Sequence, residues 1–188
     1  MDRLRQAAED YGQEWTMDLR FTRFRGDGWQ VYLKKPLYVL DATIYFLAWL
    51  RAADLDIETR ISVGIGPVDS TGTADLSDAS GRAFFVSGDH LDRIPKRRRL
   101  VIAGDGIGIW QTSIFDLVEH QTAGWTAAQA EAVALALLHA SATHEDLSDR
   151  LGITRQAVQS RLAAAGWSAL TNPLGAFRGH EFAPKTDR

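Results

Sequence analysis

The chain is expected to fold as an α+β protein, with a sheet-and-helix domain over residues 1–120 and a small all-α domain over residues 121–188. Three observations lead there. Segments of period two and period 3.6 alternate through the first two thirds, in the order helix, hairpin, helix, strand, helix, strand, helix. From Trp125 onward only helical spacing remains. At 188 residues and 45% hydrophobic content, the chain can bury one good core and a small module besides.

The elements follow in order. Met1 to Trp15 places Leu4, Ala7, Ala8 and Tyr11 on one side of a helix. Two alternating runs, LRFTRF and WQVYL, flank Arg25-Gly26-Asp27-Gly28, and glycine with aspartate between period-two segments is the strongest hairpin signal in the chain. LYVLDATIYFLAWLRAA is apolar on most sides, so it predicts a helix buried against a sheet; Asp41 interrupts its apolar run. TRISVGIGPV alternates, with two glycines that mark a bend or a close backbone approach. GRAFFVSGDHLDRI predicts a short helix, RRRLVIAG a strand, and SIFDLVEHQTAG a helix. Gly104 to Gly108 is expected as a turn joining two strands.

The all-α part begins with AAQAEAVALALLHA, opened by a capping box from Thr126 to Gln129 and carrying Val133, Leu137 and Leu138 as an apolar stripe. It is expected to pack across the next two helices. Thr143 with Asp146 offers a second capping box, and Leu147 and Leu151 lie four apart. Gly152 then breaks the helix where a tight turn needs a left-handed residue, Ile153 plugs the shared core, and Thr154 caps the following helix. There Val158 and Leu162 face inward, which leaves Arg155, Gln156, Gln159, Ser160 and Arg161 outside. Arginine pairs with guanine and glutamine with adenine in bidentate fashion, while serine and a further arginine suit phosphate. No Asp or Glu lies between Arg150 and His180, whereas Arg150, Arg155, Arg161 and Arg178 do, so a local basic surface is expected on a chain of net charge −3. A short helix is expected from Gly166 to Thr171, ended by Asn172-Pro173, and the tail from His180 is expected to fray. The run LGITRQAVQSRL resembles the turn and recognition helix of many bacterial regulators. That resemblance covers the last third of the chain and implies a mode of DNA binding, with Thr154, Arg155, Gln156, Gln159, Ser160 and Arg161 at the DNA.

A second resemblance rests on the hairpin FRGDGWQVYL, the long helix, the strand RISVGIGPV and the helix GRAFFVSGDHL, over Leu19 to Ile94. This order resembles the palm (ferredoxin-like) domain of class III nucleotide cyclases and GGDEF-type proteins, and most closely the small bacterial SatD family. The resemblance implies that Asp27 matches the hairpin aspartate that helps hold a divalent metal in the cyclases. Two-metal chemistry needs a second carboxylate, placed in those enzymes on a central strand ahead of the first helix, and this chain starts at the helix. The cyclase positions that hold ribose and the transition state are occupied by Phe85 and Asp89. An apolar ring cannot hydrogen-bond a sugar, and a carboxylate repels triphosphate. Asp27 is therefore read as a remnant of a metal or ligand position in a non-catalytic palm.

Other features narrow the function. Without cysteine there are no disulfides, thiolate metal sites or cysteine nucleophiles, in keeping with a reducing cytoplasm. No apolar run is long enough to span a bilayer. Gly64-x-Gly66 lacks the third glycine of a dinucleotide loop. The histidines form no metal-binding pair, Lys96 to Arg99 reads as a solvated charge run, and Trp29, Trp49, Trp110 and Trp125 as core or interface anchors. The expectation is a cytoplasmic transcriptional regulator without cofactor, metal site or enzymatic activity. Its helix-turn-helix would enter the major groove of double-stranded DNA, and its palm-like domain would form a homodimer or take a small ligand or protein partner. The alternatives are a divalent-metal nucleotidyl cyclase or nucleotide-binding sensor whose helical module makes protein contacts, and a small adaptor whose helix-turn-helix binds protein.

Overall fold

In the computed structural model, residues 3–24, 28–53 and 59–182 are described, and they form a mixed α+β fold. Helix α1 (Arg3–Glu14) buries Leu4, Ala7, Ala8 and Tyr11 on one face, as their spacing dictates. Strands β1 (Leu19–Phe24) and β2 (Gly28–Leu33) then pair antiparallel, with Phe21 opposite Val31. Arg25, Gly26 and Asp27, and with them the expected metal or ligand remnant, lie outside the described residues.

A short 3-10 turn, Pro36–Tyr38, leads into α2 (Val39–Ala52), in which every residue from Val39 to Phe46 is buried. A helix apolar on all sides has to lie inside, and α2 does so against α5, with α1 and the later helices around it and Trp29 of β2 on Phe46. Strand β3 (Ile61–Ile65) pairs in parallel with β4 (Leu100–Gly104), and α3 (Arg82–Arg93) makes the crossover. The close approach expected of the β3 glycines is between strand and helix. A Cβ on Gly64 would stand 2.1 Å from the Ala83 carbonyl oxygen and 2.7 Å from the Ser87 nitrogen.

Among the described residues the strands form two separate two-stranded sheets, β1–β2 and β3–β4, and the facing edges of β2 and β3 stand apart across a groove of about 1220 Å³. One expectation is corrected here: Gly104 to Gly108 lead into α4 (Ile109–Ala123) and not into a strand. The Gln111 side chain explains this start: its Oε1 accepts from Gly108 N–H at 2.8 Å and its Nε2 donates to the Gly106 carbonyl at 2.9 Å. The expected solvated run at Lys96 to Arg99 also changes. Arg98 turns back to Asp116 and to Glu119, 3.2 Å from its Nε, and Glu119 further accepts from the Arg99 and Leu100 amides at 3.1 and 3.0 Å.

Among the described residues four further helices follow: α5 (Ala127–Leu138), α6 (His144–Leu151), α7 (Arg155–Ala164) and α8 (Trp167–Arg178). The stop expected at Thr171 does not occur, because Leu170, Leu174 and Phe177 are all buried on one face and hold α8 together across Pro173. Nor does the tail fray at once. The His180 ring stands edge-on to Trp110 and Phe182, at 5.2 and 4.7 Å between centroids.

Residues 120 and 121, where the sequence places a domain boundary, fall within α4. Hydrophobic packing is continuous across them, from Leu4 to Phe177, and α5 packs against α2 as well as against α6 and α7. Polar ties reinforce this continuity. Trp15 Nε1 donates to the Leu137 carbonyl at 3.1 Å, and Arg51 Nε to the Trp125 carbonyl at 2.8 Å.

Candidate nucleic-acid interface

The exposed face of α7 is set by the caps on either side of the turn before it. In α6, the Asp146 amide donates to Thr143 Oγ1 at 3.2 Å, while the Thr143 amide donates to Asp146 Oδ2 at 2.7 Å. The Thr143 hydroxyl, donating to the same Oδ2 at 2.7 Å, and then the Thr143 amide hold the Asp146 carboxyl below the usual carboxylate range. Gly152 takes φ 63°, the left-handed conformation the turn requires, and Ile153 N–H returns to the Ser148 carbonyl at 3.2 Å. Thr154 then caps α7 by accepting from Ala157 N–H at 3.2 Å.

Burial sorts the rest of α7. Val158 and Leu162 are buried, Ile153 packs against the core, and Arg155, Gln156, Gln159 and Ser160 are exposed together with Thr154. The far end of the helix is pinned from α4 and from Trp125, two residues beyond it. Gln121 Nε2 and Trp125 Nε1 both donate to the Ala165 carbonyl, at 2.8 and 2.9 Å. No feature of the sequence announces Gln121 in this role.

The expected basic surface is smaller than the acid-free stretch suggested. Arg161 pairs with Glu131 of α5 at 3.0 Å. Arg178 turns inward to Asp41 of α2, with Nε donating at 3.1 Å and Nη2 to the same oxygen. Freedom from acids along the chain is not freedom from acids in space, and Arg150 and Arg155 are the two of the four that face solvent beside the turn. Burial raises the Asp41 pKa, against the hydrogen bond and charge of Arg178. The Tyr11 hydroxyl is also pushed up, by burial and then by Asp41.

Of the residues matched to the cyclase nucleotide site, Asp27 lies outside the described residues, and Phe85 and Asp89 stand one turn apart on α3. Phe85 is 72% exposed on α3, and Asp89 pairs with Arg93 at 2.8 Å. Among the described residues, no cluster of three or more His, Asp or Glu could hold a metal ion. Gly64 and Gly66 serve the packing of β3 on α3. Trp125 is buried, Trp29 packs on Phe46 with centroids 5.6 Å apart, and Trp110 is 37% exposed beside Phe177. No described helix is long and apolar enough to cross a membrane.

Comparison of the chain with protein-family models returns no match, and comparisons with curated proteins and with solved structures return none either.

Proposed function

We propose that the protein is a DNA-binding transcriptional regulator that presents α7 to the major groove. One observation carries this reading: α6, the left-handed Gly152 and the Thr154-capped α7 form two packed helices whose inner residues are buried and whose outer row is Arg155, Gln156, Gln159 and Ser160. Arginine and glutamine at the first turn of such a helix match the donor and acceptor edges of guanine and adenine. Thr154 and Ser160 have hydroxyls to offer phosphate oxygens at the groove edge. Arg161 joins them as a phosphate contact by leaving Glu131, since an exposed ion pair is worth at most about 1 kcal/mol.

A single module of this kind buries little DNA surface, so the regulator acts as a homodimer with half-sites about one helical turn apart. Ile109 and Leu117, 84% and 68% exposed on α4, supply apolar surface for the second copy. The sheet-and-helix part carries this pairing or a ligand, and Asp27 belongs to it.

The experiment is genome-wide recovery of bound DNA, with Arg155→Ala and Gln156→Ala as comparison. Discrete peaks sharing a palindrome are expected, with specific affinity lowered about tenfold or more by each substitution, as for a lost bidentate base contact. Unchanged specific affinity in correctly folded variants would overturn the assignment of α7.

A further inference from the structure

The groove between the two sheets is walled by two strand edges, and the hydrogen-bond parity of each sheet identifies the groups that face it. Lys34 N–H donates to the Asp18 carbonyl at 3.2 Å, continuing the ladder in which Gln30 faces Thr22 and Tyr32 faces Arg20. Even-numbered residues of β2 therefore spend their backbone groups on β1, and the amides and carbonyls of Trp29, Val31 and Leu33 point the other way. In the second sheet, Ile61 N–H donates to the Arg99 carbonyl and the Ile65 carbonyl accepts from Asp105 N–H. The backbone groups of Ser62 and Gly64 are thus left on the far edge of β3.

Both faces of the groove are walled as well. Trp29, Val31 and Leu33 lie on the α2 side, where Trp29 packs on Phe46. Gln30 and Tyr32 lie on the α3 side, and Tyr32 stacks on Phe84 with centroids 6.4 Å apart. Gln30 Oε1 and Ser62 Oγ are buried here without a hydrogen-bond partner. Two facing rows of outward backbone groups leave both strand edges open to a further strand.

We propose that this groove binds one extended segment of a partner protein as a β-strand, hydrogen-bonded to β2 on one side and β3 on the other. The volume agrees: five residues of strand, at 3.3 Å rise, 4.8 Å spacing and 10 Å sheet thickness, fill roughly 800 Å³, and the groove holds about 1220 Å³. A strand covered on both faces has to be a near-continuous apolar run. The lining charges select its flanks. Arg3, Lys34 and Arg60 line the groove against Asp92 and Asp105, and Asp105 is already paired with Arg82 at 2.9 Å. The partner segment is therefore a β-branched apolar run flanked by acidic residues. This inference goes beyond DNA binding and does not depend on it.

The test uses the full chain and a synthetic peptide of alternating valine and isoleucine, five residues in all, between two aspartates. A control peptide carries proline at its centre. Amide hydrogen exchange at Trp29, Val31, Leu33, Ser62 and Gly64 is expected to slow at least tenfold with the first peptide and to stay unchanged with the second. Val31→Pro removes one outward N–H without removing a β1–β2 bond and is expected to abolish the protection. A thermal melt of that variant by circular dichroism shows whether it still folds. Absence of protection, or protection confined to one strand, overturns the proposal. So does protection without peptide: if it rises with protein concentration the occupant is a second copy, and if it does not, the occupant is another segment of this chain.

Discussion

Arg178 and Asp41 lie 137 residues apart, yet between them a fully buried carboxylate meets a charge. Replacing Arg178 with Met would leave Asp41 buried and unpaired. Such a break costs about 3 kcal/mol, toward the low end for a buried pair because Arg178 is 37% exposed and solvent screens it. Urea denaturation checks this, and the double replacement Asp41→Leu with Arg178→Met should recover most of the loss. The pH dependence has a definite sign. Burial already raises Asp41 above its unfolded value, so its ionised form costs stability at higher pH, and the Arg178→Met defect should shrink as pH falls and the carboxyl protonates. Gly64 gives a second prediction at this scale. A methyl group there meets backbone on α3 rather than a movable side chain, so Gly64→Ala should destabilise by the upper end of about 1–3 kcal/mol, measured by the same denaturation. Both residues could be singled out in the sequence, Asp41 as a charge in an apolar run and Gly64 as a glycine in a strand. The partner of Asp41 could not, because nothing in a local pattern encodes a contact at that separation.

Among the elements, α6 has a cap whose strength depends on pH. Thr143 holds the Asp146 carboxyl below its usual range, so this group contributes stability above about pH 4 that is lost as pH falls through its lower folded value. Asp75 and Asp78 shift in the same direction, through Ser77 and Thr73, so the comparison has to isolate α6. Asp146→Asn should flatten the acid dependence of exchange at the first-turn amides of α6 and leave the rest of the acid transition in place. Helix α8 offers the converse test. Its interior Pro173 lacks an N–H, and Pro173→Ala should raise thermal stability by up to about 3 kcal/mol if the helix closes its ladder there. Helices were the most legible elements, because capping boxes at Thr126 and Thr143, the cap at Thr154 and the glycine at 152 are local chemistry. The stop expected at Thr171 failed for the opposite reason: three buried side chains outweigh one missing hydrogen bond. The strands were legible one by one, but their assembly into two sheets was not, since strand pairing depends on what lies between β2 and β3.

At the scale of the whole molecule, the residues on α7 proposed to read DNA were visible in the sequence, whereas the charge around them was not. In the free protein two of the four arginines expected on that surface are paired with Glu131 and Asp41, acids contributed by helices earlier in the chain, and only Arg161 is placed to exchange its partner for phosphate. Specific binding should therefore depend more on Arg155 and Gln156 than on a broad positive field. The salt dependence of affinity is then expected to be shallow, with a log–log slope set by about two or three phosphate contacts per module. Titration of binding from 50 to 200 mM salt measures it.

The packing of α5 on α2, with Trp15 and Arg51 reaching across to the Leu137 and Trp125 carbonyls, bears on how this protein can be taken apart. Many helix-turn-helix modules travel between proteins as cassettes. Here the scaffold helix of that module is also a wall of the neighbouring core, so a fragment cut at residue 121 would carry an apolar face it cannot cover. The surface proposed to read DNA is inherited with the rest of the chain or not at all.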